Sequence, residues 1–61
     1  MIEAKTLKER GNDAFKTKNF GDAVDLYKQA IAIEEASQPK NVIFLATVYT
    51  NLAQTYLELK Q

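Results

Sequence analysis

Leu7-Lys-Glu-Arg-Gly-Asn-Asp-Ala-Phe-Lys-Thr-Lys-Asn-Phe-Gly-Asp-Ala-Val-Asp-Leu-Tyr-Lys-Gln-Ala30 places small and large apolar residues at spacings of three and four. At about 100° per residue, Ala4, Leu7, Gly11, Ala14 and Phe15 fall on one side of a first helix. Phe20, Ala23, Val24, Tyr27, Ala30 and Ile31 repeat the rhythm in a second. Thr17-Lys18-Asn19 leaves room only for a tight turn, with Asn19 tolerant of left-handed geometry and Asp22 favouring the next N-terminus. The stretch predicts an antiparallel helical hairpin.

Downstream, Pro39 lacks the amide hydrogen a continuing helix needs and biases Gln38 away from helical geometry. Beyond it Val42, Leu45, Tyr49, Leu52, Ala53 and Tyr56 mark a third helix, despite the β-branched residues that lower its propensity. The expected helices span about residues 3–17, 20–36 and 41–60 of a single all-α unit covering 1–61. Upstream and downstream of the hairpin the reading is therefore of one architecture: a helix pair followed by a third helix.

Composition narrows the function. The 61 residues include eight basic and eight acidic side chains, so the chain lacks the net positive field of nucleic-acid binders. A helix-turn-helix DNA reader is disfavoured for the same reason. With no cysteine and no histidine, thiolate zinc sites, thiol nucleophiles and the usual general base are all missing, and neither a metal nor a cofactor is expected. Glu34 and Glu35 diverge on a helix and no glycine-rich phosphate loop occurs, so no enzyme is expected. The longest apolar run, Val42 to Ala46, is far short of a membrane span, and the expectation is a cytoplasmic protein with no membrane association.

The charges are sorted by face. Lys5, Lys8, Asn12 and Lys16 lie together beside the apolar side of the first helix, with Glu3, Glu9 and Asp13 behind. Thr47, Thr50, Asn51 and Gln54 form an uncharged amide and hydroxyl stripe on the third. Such stripes are either ordinary solvated faces or binding surfaces for a carboxylate or peptide backbone. Opposite the amides, Val42, Leu45, Val48, Tyr49, Leu52, Ala53, Tyr56 and Leu59 cover an apolar arc of roughly 160°, wider than the ~100° a helix packed on one side needs.

Gly11, Phe15, Phe20, Ala23, Tyr27 and Ala30, with Leu7 at an often aromatic position, resemble one tetratricopeptide repeat. Tyr49, Ala53 and Leu57 resemble the first helix of a second repeat, and Tyr56 extends its packing face. The offset from Leu7 to Tyr49 is 42 residues against a usual period of about 34, which implies longer second and third helices. The resemblance implies an α-solenoid fragment of about one and a half repeats.

Within that family, Lys-Glu-Arg-Gly-Asn at 8–12 and Tyr-Thr-Asn at 49–51 resemble co-chaperone domains that clamp two carboxylates. Those domains grip the C-terminal aspartate of Glu-Glu-Val-Asp tails on cytosolic heat-shock chaperones of the 70- and 90-kDa classes. Lys8, Asn12 and Asn51 match three of the clamp's five members, with Lys16 and Phe15 as further peptide-binding candidates. In the domains it resembles, the other two members, a lysine and an arginine, belong to the first helix of a third repeat, which these 61 residues do not include. Two alternatives stay open. Asn51-Leu-Ala-Gln-Thr-Tyr-Leu57 and the 42-residue period also resemble kinesin light chain repeats, which bind other peptides. The wide arc of the third helix also suits a homo-oligomer, formed by self-association or helix exchange.

Overall fold

A computed structural model describes residues 2–60. It contains three helices, α1 (Ala4–Lys16), α2 (Phe20–Glu35) and α3 (Val42–Lys60), and no strand among the described residues. α1 and α2 form the hairpin that the spacing predicts, and α3 packs on the other side of α2. The Cα framework measures 37 × 21 × 13 Å, a single layer of helices.

The turn between α1 and α2 closes by hydrogen bonds that the sequence does not display. Asn19 N–H donates to Ala14 O at 2.8 Å and Lys18 N–H to Phe15 O at 3.0 Å, the paired bonds of a Schellman motif. That registry puts the left-handed residue at Lys18, with φ 65°, whereas Asn19 was the expected site. Asn19 instead turns the chain into α2, its Nδ2 donating to Thr17 Oγ1 at 3.0 Å. A lysine in this conformation carries a steric cost that glycine avoids. Lys18→Gly is accordingly expected to raise stability by about 0.5–1 kcal/mol, after the loss from a more flexible unfolded chain. A urea midpoint that stays put or falls would contradict this placement.

Between α2 and α3 the Gln38–Pro39 peptide is cis. Asn41 begins α3 as its N-cap, its Oδ1 accepting from Phe44 N–H at 3.0 Å while its own N–H donates to Glu34 Oε2 at 2.9 Å. One side chain thus starts α3, and another ties that start to the end of α2.

The core is organised about α2. Ala23, Val24, Tyr27, Ala30 and Ile31 are buried, facing Ala4, Leu7 and Gly11 of α1 on one side and Leu45 and Val48 of α3 on the other. Phe20 is half-buried, its ring edge-on to Phe15 with centroids 5.3 Å apart. α3 departs from the expected packing: Tyr49, Ala53 and Tyr56 are exposed, and Leu45, Val48 and Thr55 are buried instead. The reason is that α3 packs mainly on α2 and touches α1 only through a few side chains, so only part of its apolar arc is covered. Thr55 is fully buried because its Oγ1 donates to Asn51 O at 2.8 Å, leaving its methyl group to pack.

Candidate functional site

The helical repeat sets Lys8 and Asn12 one turn apart on α1, facing the channel between α1 and α3. From α3, Phe44 and Asn51 approach the same channel two turns apart. Lys8 Nζ lies 5.5 Å from the centroid of the Phe44 ring, a cation–π contact that holds the ammonium at the channel wall. Asn51 Nδ2 donates to Asn12 Oδ1 at 3.2 Å. The Tyr27 hydroxyl, arriving from α2, donates to the same oxygen.

Asn12 is therefore oriented by two donors. Both lone pairs of its carbonyl are engaged within the protein, and among the described residues its Nδ2 hydrogens have no protein acceptor. A primary amide fixed in this way presents donors rather than acceptors. One turn earlier on α1, Lys8 adds an ammonium held at the Phe44 ring, so this wall of the channel offers hydrogen-bond donors and positive charge to a ligand. The arrangement suits a carboxylate or a peptide carbonyl.

Among the predicted site residues, the structure brings Lys8, Asn12 and Asn51 together. Lys16 is exposed one turn beyond Asn12 on the same helix. Phe15 does not join them: it is half-buried at the closed end of the hairpin, packed against the core and the Phe20 ring. The hydroxyl stripe of α3 also changes character. Thr47 and Thr50 donate to the carbonyls of Ile43 and Ala46 in their own helix, at 3.1 and 2.9 Å, so their hydroxyls keep only acceptor capacity.

Two members of the cluster escaped the sequence reading. Tyr27 was legible as a packing ring, and the rule that a buried tyrosine hydroxyl finds a partner could have flagged it. Phe44, seven residues before Asn51, shares its helix face, a spacing that could have placed it beside the amide. At the open end of the channel lies a hollow of about 620 Å³, lined in part by Ala4, Lys5, Lys8, Glu34, Asn41 and Phe44. Lys8 belongs to both the hollow and the amide cluster. Among the described residues no group of acidic side chains could hold a metal ion, and no helix is long and apolar enough to cross a membrane.

Neither a protein-family model nor a solved structure matches the chain significantly. Curated sequences do. The chain is 37% identical over 57 residues to the Hsp70/Hsp90 co-chaperone CNS1 of Saccharomyces cerevisiae, an alignment covering 93% of this chain and 14% of that protein. The chain is similar to a segment of a co-chaperone. It is also 41% identical over 56 residues to the chloroplastic outer envelope protein 64 of Arabidopsis thaliana, covering 92% of this chain and 8% of that one. With the mitochondrial outer envelope protein 64 of the same plant the identity is 37% over 59 residues, 97% of this chain and 8% of the relative. The chain thus spans only 8–14% of the length of these relatives.

Proposed function

We propose that this chain is a tetratricopeptide-type binding segment that takes the acidic C-terminal tail of a cytosolic heat-shock chaperone into the channel between α1 and α3. Lys8, Asn12 and Asn51 form part of a carboxylate clamp, and Lys16 extends the basic wall. The role is recognition in the cytoplasm, without catalysis. One observation carries the reading: the Asn12 amide is held with its carbonyl turned into the protein, which leaves its donors for a ligand one helical turn from Lys8. Similarity to a protein named as an Hsp70/Hsp90 co-chaperone supports the choice of partner.

A terminal aspartate offers a main-chain and a side-chain carboxylate, so the cluster discriminates by charge and by the position of the chain end. Lys8, Asn12 and Asn51 supply three members of such a clamp. Titration with a Glu-Glu-Val-Asp peptide is expected to give saturable binding that weakens strongly when the peptide's C-terminus is amidated. Lys8→Ala is expected to reduce affinity about tenfold, the scale of one charge-assisted hydrogen bond. Equal affinity for the acid and amide forms sinks the clamp. It would favour a groove that reads peptides without their terminus.

A further inference from the structure

Lys8 is linked through α3 to the far end of α2. Its Nζ lies over the Phe44 ring, 5.5 Å from the centroid. Phe44 stands in the first turn of α3, where its N–H donates to Asn41 Oδ1 at 3.0 Å. Asn41 donates its own N–H to Glu34 Oε2 at 2.9 Å, in the last turn of α2. All four residues border the hollow at the open end of the channel. Glu34, Asn41 and Phe44 fall between Ala30 and Tyr49, the stretch that carries the excess of the 42-residue offset over a usual period of about 34. The repeat resemblance therefore gives these three no task.

We propose that Glu34 is a positioning residue for Lys8, acting through Asn41 and Phe44; its effect on peptide binding rests on the clamp reading above. A lysine side chain is rich in rotamers, so its ammonium keeps one place only where a surface holds it. The Phe44 ring is that surface. Residues 36–41 between α2 and α3 are not helical, and the Glu34 carboxylate gives the start of α3 a fixed point on α2. Without that acceptor the Asn41 N–H turns to water, and the turn that carries Phe44 loses its anchor. Glu34 acts here by hydrogen bonding. Its negative charge at the end of the channel opposes an anionic ligand.

Glutamine keeps an acceptor for the Asn41 N–H and removes the charge, whereas alanine removes both. Proton–carbon correlation spectra of the free chain read the position of Lys8 directly. Its ε-methylene protons, over a ring face, are expected upfield of those of the exposed Lys5 and Lys16. Phe44→Leu should abolish that displacement, Glu34→Ala should remove most of it, and Glu34→Gln should retain it. In titrations with a Glu-Glu-Val-Asp peptide, Glu34→Ala and Phe44→Leu are expected to weaken binding about three- to fivefold, the scale of one exposed cation–π contact. Glu34→Gln should bind at least as tightly as wild type. Alanine, glutamine and leucine all favour helix, so circular dichroism should show the same helix content throughout.

An unchanged Lys8 signal in Glu34→Ala overturns the proposal, because a residue that only anchors α3 would lower stability without moving the lysine. So does a loss in Glu34→Gln as large as in Glu34→Ala, which would make the restraint ionic. A wild type with the displaced Lys8 signal, lost in Glu34→Ala and kept in Glu34→Gln, but with no affinity for the peptide would refute the clamp and uphold the positioning.

Discussion

Gly11→Ala is expected to destabilise the fold by about 2 kcal/mol, the net of overpacking against the better helix propensity of alanine. A Cβ at residue 11 would stand 2.7 Å from Cε1 and 2.8 Å from Cδ1 of Tyr27, well inside the ~3.5–4.0 Å of a favourable carbon contact. The ring cannot swing aside. It is 1% exposed, with the rest of the core around it, and its hydroxyl is bonded to Asn12. α1 and α2 must therefore move apart, which loosens contacts along the hairpin. Gly21 supplies the control. Nothing lies within 4 Å of a Cβ built there, so Gly21→Ala in the first turn of α2 should gain up to about 1 kcal/mol. Opposite shifts of the urea midpoint are the expected result, and a Gly11→Ala midpoint at or above wild type would refute the close approach.

This contrast also shows what can be read from a sequence of this kind. Residues three and four apart report helices because one face must be dry, so Leu7, Gly11, Ala23, Tyr27 and Ala30 already outlined the hairpin interior. The left-handed residue was displaced by one, from Asn19 to Lys18, because hydrogen-bond registry at the helix end decides it and residue preference is secondary. On α3 the apolar arc was visible, yet its spacing alone could not say which part meets α2. Tyr49, Ala53 and Tyr56 lie on the part left uncovered, while Thr55 is buried although polar.

The candidate site divides in the same way. Lys8 and Asn12 are neighbours by helical geometry alone. Asn51 is 39 residues from Asn12, and only the resemblance brought it into the reading. The Lys8–Phe44 contact depends on how far α3 tilts from α1, a property of the assembled helices. Phe15 shows the converse: an aromatic beside a basic stripe reads as a ligand platform, but its edge is already occupied by Phe20.

Tyr27 joins the core to the site, and its two functions separate by substitution. Tyr27→Ala is expected to cost about 3–5 kcal/mol through the cavity left between α1 and α2, enough to unfold a small domain of limited stability. Tyr27→Phe keeps the ring and removes one donor from Asn12 Oδ1, at an expected cost of about 1 kcal/mol. The pH dependence distinguishes the hydroxyl further. Burial pushes the Tyr27 phenol above its usual value, because the charged phenolate is poorly solvated there. The unfolded chain therefore releases this proton first, near pH 10. The stabilisation is intact below that pH and is lost as pH rises towards the folded value, since the unfolded state binds fewer protons in that window.

Wild type should accordingly lose stability above pH 10 more steeply than Tyr27→Phe, by denaturation at matched pH. Parallel losses in the two proteins would mean that the hydroxyl is not buried against Asn12. The same substitution frees the Asn12 amide to rotate, so it should weaken Glu-Glu-Val-Asp binding at neutral pH while the helices persist. A residue whose ring lies in the core would then set the affinity, because its hydroxyl fixes which edge of the Asn12 amide the ligand meets.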